Sequence, residues 1–138
     1  MSKFILFISL ILITGCEIFV IGTPDGKKLQ ASKMEIDRFT ASGTVMLFKT
    51  ELDSGNIPAA ARMLADSSGR KLPALGQYEM YNEMRRLRNL IGNKPFTMFS
   101  EDSLSPYHSS IEIEVDSFRR VDFHLSKIDK LWYITGIK

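Results

Sequence analysis

The chain has 138 residues, 44% of them hydrophobic and 25% charged, with 18 lysines and arginines against 16 aspartates and glutamates. That balance is ordinary for one globular domain and too even to name a polyanionic or polycationic partner. A single cysteine excludes an internal disulfide.

Residues 1–15 carry one charge, Lys3, followed by the apolar block FILFISLILI. The block is shorter than the roughly 20 helical residues that cross a bilayer core, and it suits a secretory signal. Its end, Ile13-Thr14-Gly15-Cys16, resembles the bacterial lipobox. That resemblance implies a diacylglycerol on the Cys16 thiol and cleavage that leaves Cys16 as the new N-terminus. The competing reading is an uncleaved anchor over residues 4–21, but it would place Glu17 in the membrane at a cost of about 2.5–3.5 kcal/mol. A buried core cysteine has no globular pattern around it. Since one acyl chain binds only reversibly and two anchor stably, a lipoprotein stays on its membrane. The expected layout is a lipoprotein signal at 1–15, a lipid-bearing tether at 16–31 and a folded domain at 32–138. The expected location is the cell envelope, on the extracytoplasmic side of an outer or plasma membrane.

In the tether, a short apolar run at residues 18–21 precedes the turn signal Pro24-Asp25-Gly26. Ser32 with Glu35 three residues on forms a capping box, which predicts a helix start at Ser32. Ala41, Val45, Phe48 and Leu52 fall on one face of that helix, and Gly55 stops it. Asn56-Ile57-Pro58 opens a second helix, PAAARMLAD, which the sequence carries to Asp66. A third follows Pro73, with Met80, Met84, Leu87 and Ile91 as its buried stripe and Gly92-Asn93 at its end. Such a methionine stripe is read as core filler.

Beyond Lys94-Pro95 the period changes to two. Residues 96–100 form a first strand, and Ile111, Ile113 and Val115 share one face of a second. Val121, Phe123 and Leu125 share one face of a third, with Trp132 and Ile134 on the last. A three-residue loop, Asp116-Ser117-Phe118, pairs Ile113 with Val121, Ile111 with Phe123 and Glu114 with Arg120. A two-residue loop would set Ile113 against Arg120 and turn side chains to the wrong face. The next turn is placed at Ile128-Asp129, pairing Leu125 with Trp132 and Phe123 with Ile134. The fold class is therefore α+β, with N-terminal helices packed on a curved antiparallel sheet.

A helix ending in ELDSGNIPAAARMLAD, with a terminal hairpin FHLSKIDKLWYITGI, resembles the nuclear transport factor 2-like (SnoaL-like) superfamily of cone-shaped domains. The likeness covers Ser32 to the end, and departs at Lys130, where members often carry glycine. It implies a pocket between helices and sheet, which enzymes of the superfamily line with acids, bases or tyrosines. Here the residues facing the cone are Ile111, Ile113, Val121, Phe123, Leu125, Trp132 and Ile134, none of them ionisable. Asp122 and His124 alternate with them and point outward. Tyr78, Tyr81 and Tyr107 are expected in the core or at the rim. Two histidines, His108 and His124, lack a third ligand at useful spacing, so no metal and no cofactor is expected. No GxSxG elbow or phosphate-binding glycine loop is present.

Arg85, Arg86 and Arg88, with Arg70, Lys71 and Lys94, read as a solvated helix face with Glu83 and Arg86 paired. The alternative is contact with anionic lipid or envelope polymer. Nucleic acid is not expected of an exported chain lacking a basic patch interleaved with aromatics. The expectation is a membrane-tethered, non-catalytic module that binds an apolar small ligand or an envelope protein. A small-molecule enzyme and an accessory envelope subunit, docking through Leu131, Tyr133 and Ile137, are the alternatives.

Overall fold

The computed structural model describes residues 35–138. The lipobox, the tether and Ser32 lie outside the described residues.

Helix α1 (Ala41–Ser54) begins later than the capping box predicts. Glu35 lies outside any helix and residues 37–40 form bends. The physical reason is Asp37, whose Oδ1 accepts the backbone N–H groups of Phe39 and Thr40 at 2.9 and 3.2 Å. This local turn competes with helix. Thr40 then caps α1, its hydroxyl accepting the Gly43 N–H at 3.0 Å. Gly55, at φ 77°, ends α1, and the N–H groups of Gly55 and Asn56 return to the carbonyls of Leu52 and Glu51.

Helix α2 (Ile57–Ala61) stops well before Asp66. Residues 63–65 leave the helix to lie along the last strand, the Ile134 N–H donating to Met63 at 2.9 Å and the Ala65 N–H to Ile134 at 2.8 Å. The helical stretch after Pro73 is two pieces, α3 (Ala74–Glu79) and α4 (Tyr81–Ile91), with Met80 between them. Met84, Leu87 and Ile91 are buried as the stripe requires, and Met80 is half-buried.

Four strands, β1 (Phe96–Ser105), β2 (His108–Val115), β3 (Arg119–Ile128) and β4 (Leu131–Ile137), form an open antiparallel sheet in chain order. Strand β1 is twice as long as the sequence pattern indicates. The β2–β3 register is the one expected: Ile113 opposite Val121, Ile111 opposite Phe123 and Glu114 opposite Arg120.

The β3–β4 register is not. The turn sits on Asp129 and Lys130, both left-handed at φ 49° and 72°, so Ile128 meets Leu131. Positive φ at both central residues is the hairpin turn whose twist matches the strands. Lys127 therefore faces Trp132 and Leu125 faces Ile134, while a bulge at His124/Leu125 brings Phe123 opposite Ile137. The expected pairs Leu125–Trp132 and Phe123–Ile134 are replaced. Because the slip is two residues, Trp132 and Ile134 still face inward and both are buried.

The core lies between α1 and the sheet, where Phe48 meets Phe123 edge to face with ring centres 5.8 Å apart. Among the described residues, every element and every core residue falls between Ala41 and Ile137. The outer edge of β4 is covered by two pieces of chain. One is residues 63–65. The other is Arg38, whose carbonyl accepts the Trp132 N–H at 2.9 Å while its guanidinium donates to the Trp132 carbonyl at 3.2 Å. This is an α+β fold, helices packed on an open four-stranded sheet. No helix among the described residues is long and apolar enough to cross a membrane.

Candidate functional site: an apolar cavity beside the last strand

Where residues 63–65 run beside β4, helix α4 does not fully cover the strand's far half. A cavity of about 300 Å³ is left, at the lower end of ligand-pocket sizes. Leu64, Ala65 and Leu72 form one wall, Met80, Met84 and Leu87 the helical wall, and the segment 134–137 of β4 the floor. Three polar side chains join them: Asp66, Glu83 and Thr135.

Asp66 has little capacity left. Its Oδ1 accepts the Ser68 hydroxyl at 2.6 Å and the Ser68 and Arg70 backbone N–H groups at 2.9 Å each, and Oδ2 accepts the Arg70 guanidinium at 2.9 Å. The Ser68 hydroxyl, then the Arg70 amide, hold its carboxyl at about 2, below the usual carboxylate range. A carboxylate so satisfied is a poor proton acceptor near neutral pH. Glu83 differs: its side chain is about half exposed (56%), and its one ionic neighbour among the described residues, Arg86, stands 3.7 Å away. The Thr135 hydroxyl donates to the His124 carbonyl at 3.2 Å.

Of the seven residues that sequence parity turns toward the cone, Ile134 lines this cavity. Ile111, Ile113 and Phe123 are fully enclosed, and Val121, Leu125 and Trp132 belong to the same packed core. The walls come instead from α4 and the crossing at residues 63–66. Met80, Met84 and Leu87 read as core filler from their spacing alone, and nothing in that spacing distinguishes a helix face pressed on a sheet from one standing off it. Asp66 and Glu83 were legible only as a turn residue and half of a surface ion pair.

Asp122 and His124 alternate with the buried Val121, Phe123 and Leu125, opposite Glu112 and Ser110, and take no part in the cavity wall. A second hollow of about 330 Å³ is polar, lined by Ser67, Ser68, Tyr107, His108, Ser126 and Lys127 among others. Tyr78 and Tyr81 lie together, ring centres 5.2 Å apart, with Tyr78 exposed. Tyr133 is buried under the Arg38 guanidinium, 4.1 Å from its ring centre. Of the apolar patch drawn from Leu131, Tyr133 and Ile137, Tyr133 is thus covered, while Leu131 and Ile137 are half-buried.

The six cations singled out in the sequence are dispersed among local partners. Arg70 binds Asp66, Lys71 binds Asp129 at 2.8 Å, Arg86 faces Glu83, and Lys94 faces Asp116 at 3.3 Å. Arg85 donates to the Asn82 side chain and Arg88 to the Leu52 carbonyl. No group of three or more potential metal ligands occurs among the described residues. No protein-family model matches the chain, and a comparison with curated proteins finds no match.

Proposed function

We propose that the chain is a lipid-anchored extracytoplasmic lipoprotein whose nuclear transport factor 2-like domain holds an apolar small molecule without transforming it. The anchoring half of this reading rests on the leader and on Ile13-Thr14-Gly15-Cys16. The binding half rests on one observation, the cavity beneath α4 walled by Leu64, Leu72, Met80, Met84 and Leu87. Apolar walls with few polar groups are the usual make-up of a small-molecule site. Absence of catalysis is inferred from Asp66, whose oxygens are committed within its own turn.

Two experiments test the two halves. Cys16→Ser should abolish incorporation of labelled fatty acid and leave the precursor uncleaved; labelling that persists removes the anchor. A neutral naphthyl dye that fluoresces in apolar surroundings should bind the soluble chain lacking residues 1–16. Met80→Trp, which fills the cavity from its half-buried rim, should abolish the signal while preserving the circular dichroism spectrum. Dye binding unaffected by Met80→Trp would place the ligand elsewhere.

A second reading, a small-molecule enzyme, is favoured by one observation: the Glu83 carboxylate stands in the wall with no hydrogen-bonded partner among the described residues. Turnover of any bound compound that disappears in Glu83→Gln would make this the better account.

A further inference from the structure

The polar side chains of the cavity share one property: all present acceptors. Asp66 and Glu83 are carboxylates, and the Thr135 hydroxyl has spent its proton on the His124 carbonyl, leaving an oxygen lone pair. Among the described residues, no lysine, arginine or histidine stands in the wall. A buried ligand head group that is itself acceptor-only, such as a carboxylate, would find no donor among these side chains and would meet like charge. A head group rich in donors meets the opposite situation.

Resting on the apolar-ligand reading above, we propose that the cavity selects amphiphiles with a cationic amine head, the tail lying against Met84 and Leu87 and the ammonium meeting the Glu83 carboxylate. Glu83 rather than Asp66 carries the selectivity. Asp66 is already encircled by donors from Ser68 and Arg70, and the Arg70 guanidinium offsets its charge. Among the described residues Glu83 has a single cationic neighbour, and at 3.7 Å that neighbour is beyond hydrogen-bond length.

The test compares three probes with the same ten-carbon tail, decylamine, decanol and decanoate, below their micelle concentrations at neutral pH. Each displaces the neutral naphthyl dye from the chain lacking residues 1–16, which retains every core residue among those described. Decylamine should compete at least about tenfold more strongly than decanoate, with decanol between. Glu83→Gln should shrink that ratio to about threefold or less, each probe being referred to the dye affinity measured for the variant itself. Glu83 is on the exposed side of α4, so the substitution spares the core, and a thermal melt checks this. Dye bound but displaced equally well by all three probes, or a ratio unchanged by Glu83→Gln, overturns the head-group selection alone. Failure of the dye to bind at all overturns the cavity reading and this one with it.

Discussion

Lys49 is the most deeply buried charge of the described chain, 5% exposed on α1, and its ammonium lies 2.6 and 2.7 Å from the two oxygens of Asp53. Asp53 also accepts the Asn93 N–H at 2.6 Å, tying the end of α1 to the loop before β1. Removing one partner of a buried pair strands the other charge, whereas replacing the cation by an apolar side chain of like volume strands nothing as deeply. Asp53 is a third exposed, so Asp53→Ala should cost about 2 kcal/mol, less than the roughly 3–5 kcal/mol of a fully buried pair, while Lys49→Met costs under about 1 kcal/mol. Urea denaturation of the two variants and their double mutant would measure both. A larger loss for Lys49→Met than for Asp53→Ala would reverse this account. Asp66 supplies a pH dependence. Its folded pKa, about 2, lies below its unfolded value, so the stability it contributes is complete above about pH 4 and disappears as the pH falls through about 2. Melting temperatures recorded between those limits should fall less steeply in Asp66→Asn than in the parent. Parallel slopes would mean that its turn contributes nothing to the folded state.

Among the elements, the β3–β4 hairpin carries a strain that one substitution can relieve. Asp129 and Lys130 both take left-handed backbone angles, which aspartate tolerates and lysine does so at a cost of about 1 kcal/mol. Lys130→Gly should raise stability by roughly 0.5–1 kcal/mol, read as a higher denaturant midpoint with unchanged slope. A lowered midpoint would show that the lysine side chain holds the turn. The same turn marks where the sequence stopped being readable. Alternation identified the strands and their inner faces because burial on one side imposes it, and in the β2–β3 hairpin opposite charges fixed the register as well. Across the β3–β4 hairpin the apolar pattern does not discriminate between placements two residues apart, since either keeps Trp132 and Ile134 inside; the like charges Lys127 and Lys130, which the expected turn would have set opposite each other, were the signal against it. The bulge at His124/Leu125 left no mark in the pattern at all. The start of α1 was lost for a different reason: Ser32 and Glu35 satisfy the capping-box pattern, but Asp37 bonds the backbone one turn further on and Thr40 caps in its place. The cavity was illegible because it arises where two elements fail to meet, and no single element's periodicity records a gap.

For the whole molecule, the covered edge of β4 matters most. An open edge invites pairing with another chain, and here residues 63–65 and Arg38 occupy it from two directions. Ala65→Pro would delete the N–H that bonds Ile134. It should cost about 1–3 kcal/mol, the penalty for an unpaired buried carbonyl, and make the domain prone to concentration-dependent aggregation visible by light scattering. A variant as stable as the parent and no more prone to associate would show the edge needs no cover. The clasp also fixes when the domain can form. Arg38 and Trp132 are 94 positions apart, and α1 has no sheet to pack on until the strands after it exist. A chain leaving a ribosome amino end first must therefore wait for almost its last residues before α1 is clamped onto the sheet, so the domain closes only once synthesis is nearly complete.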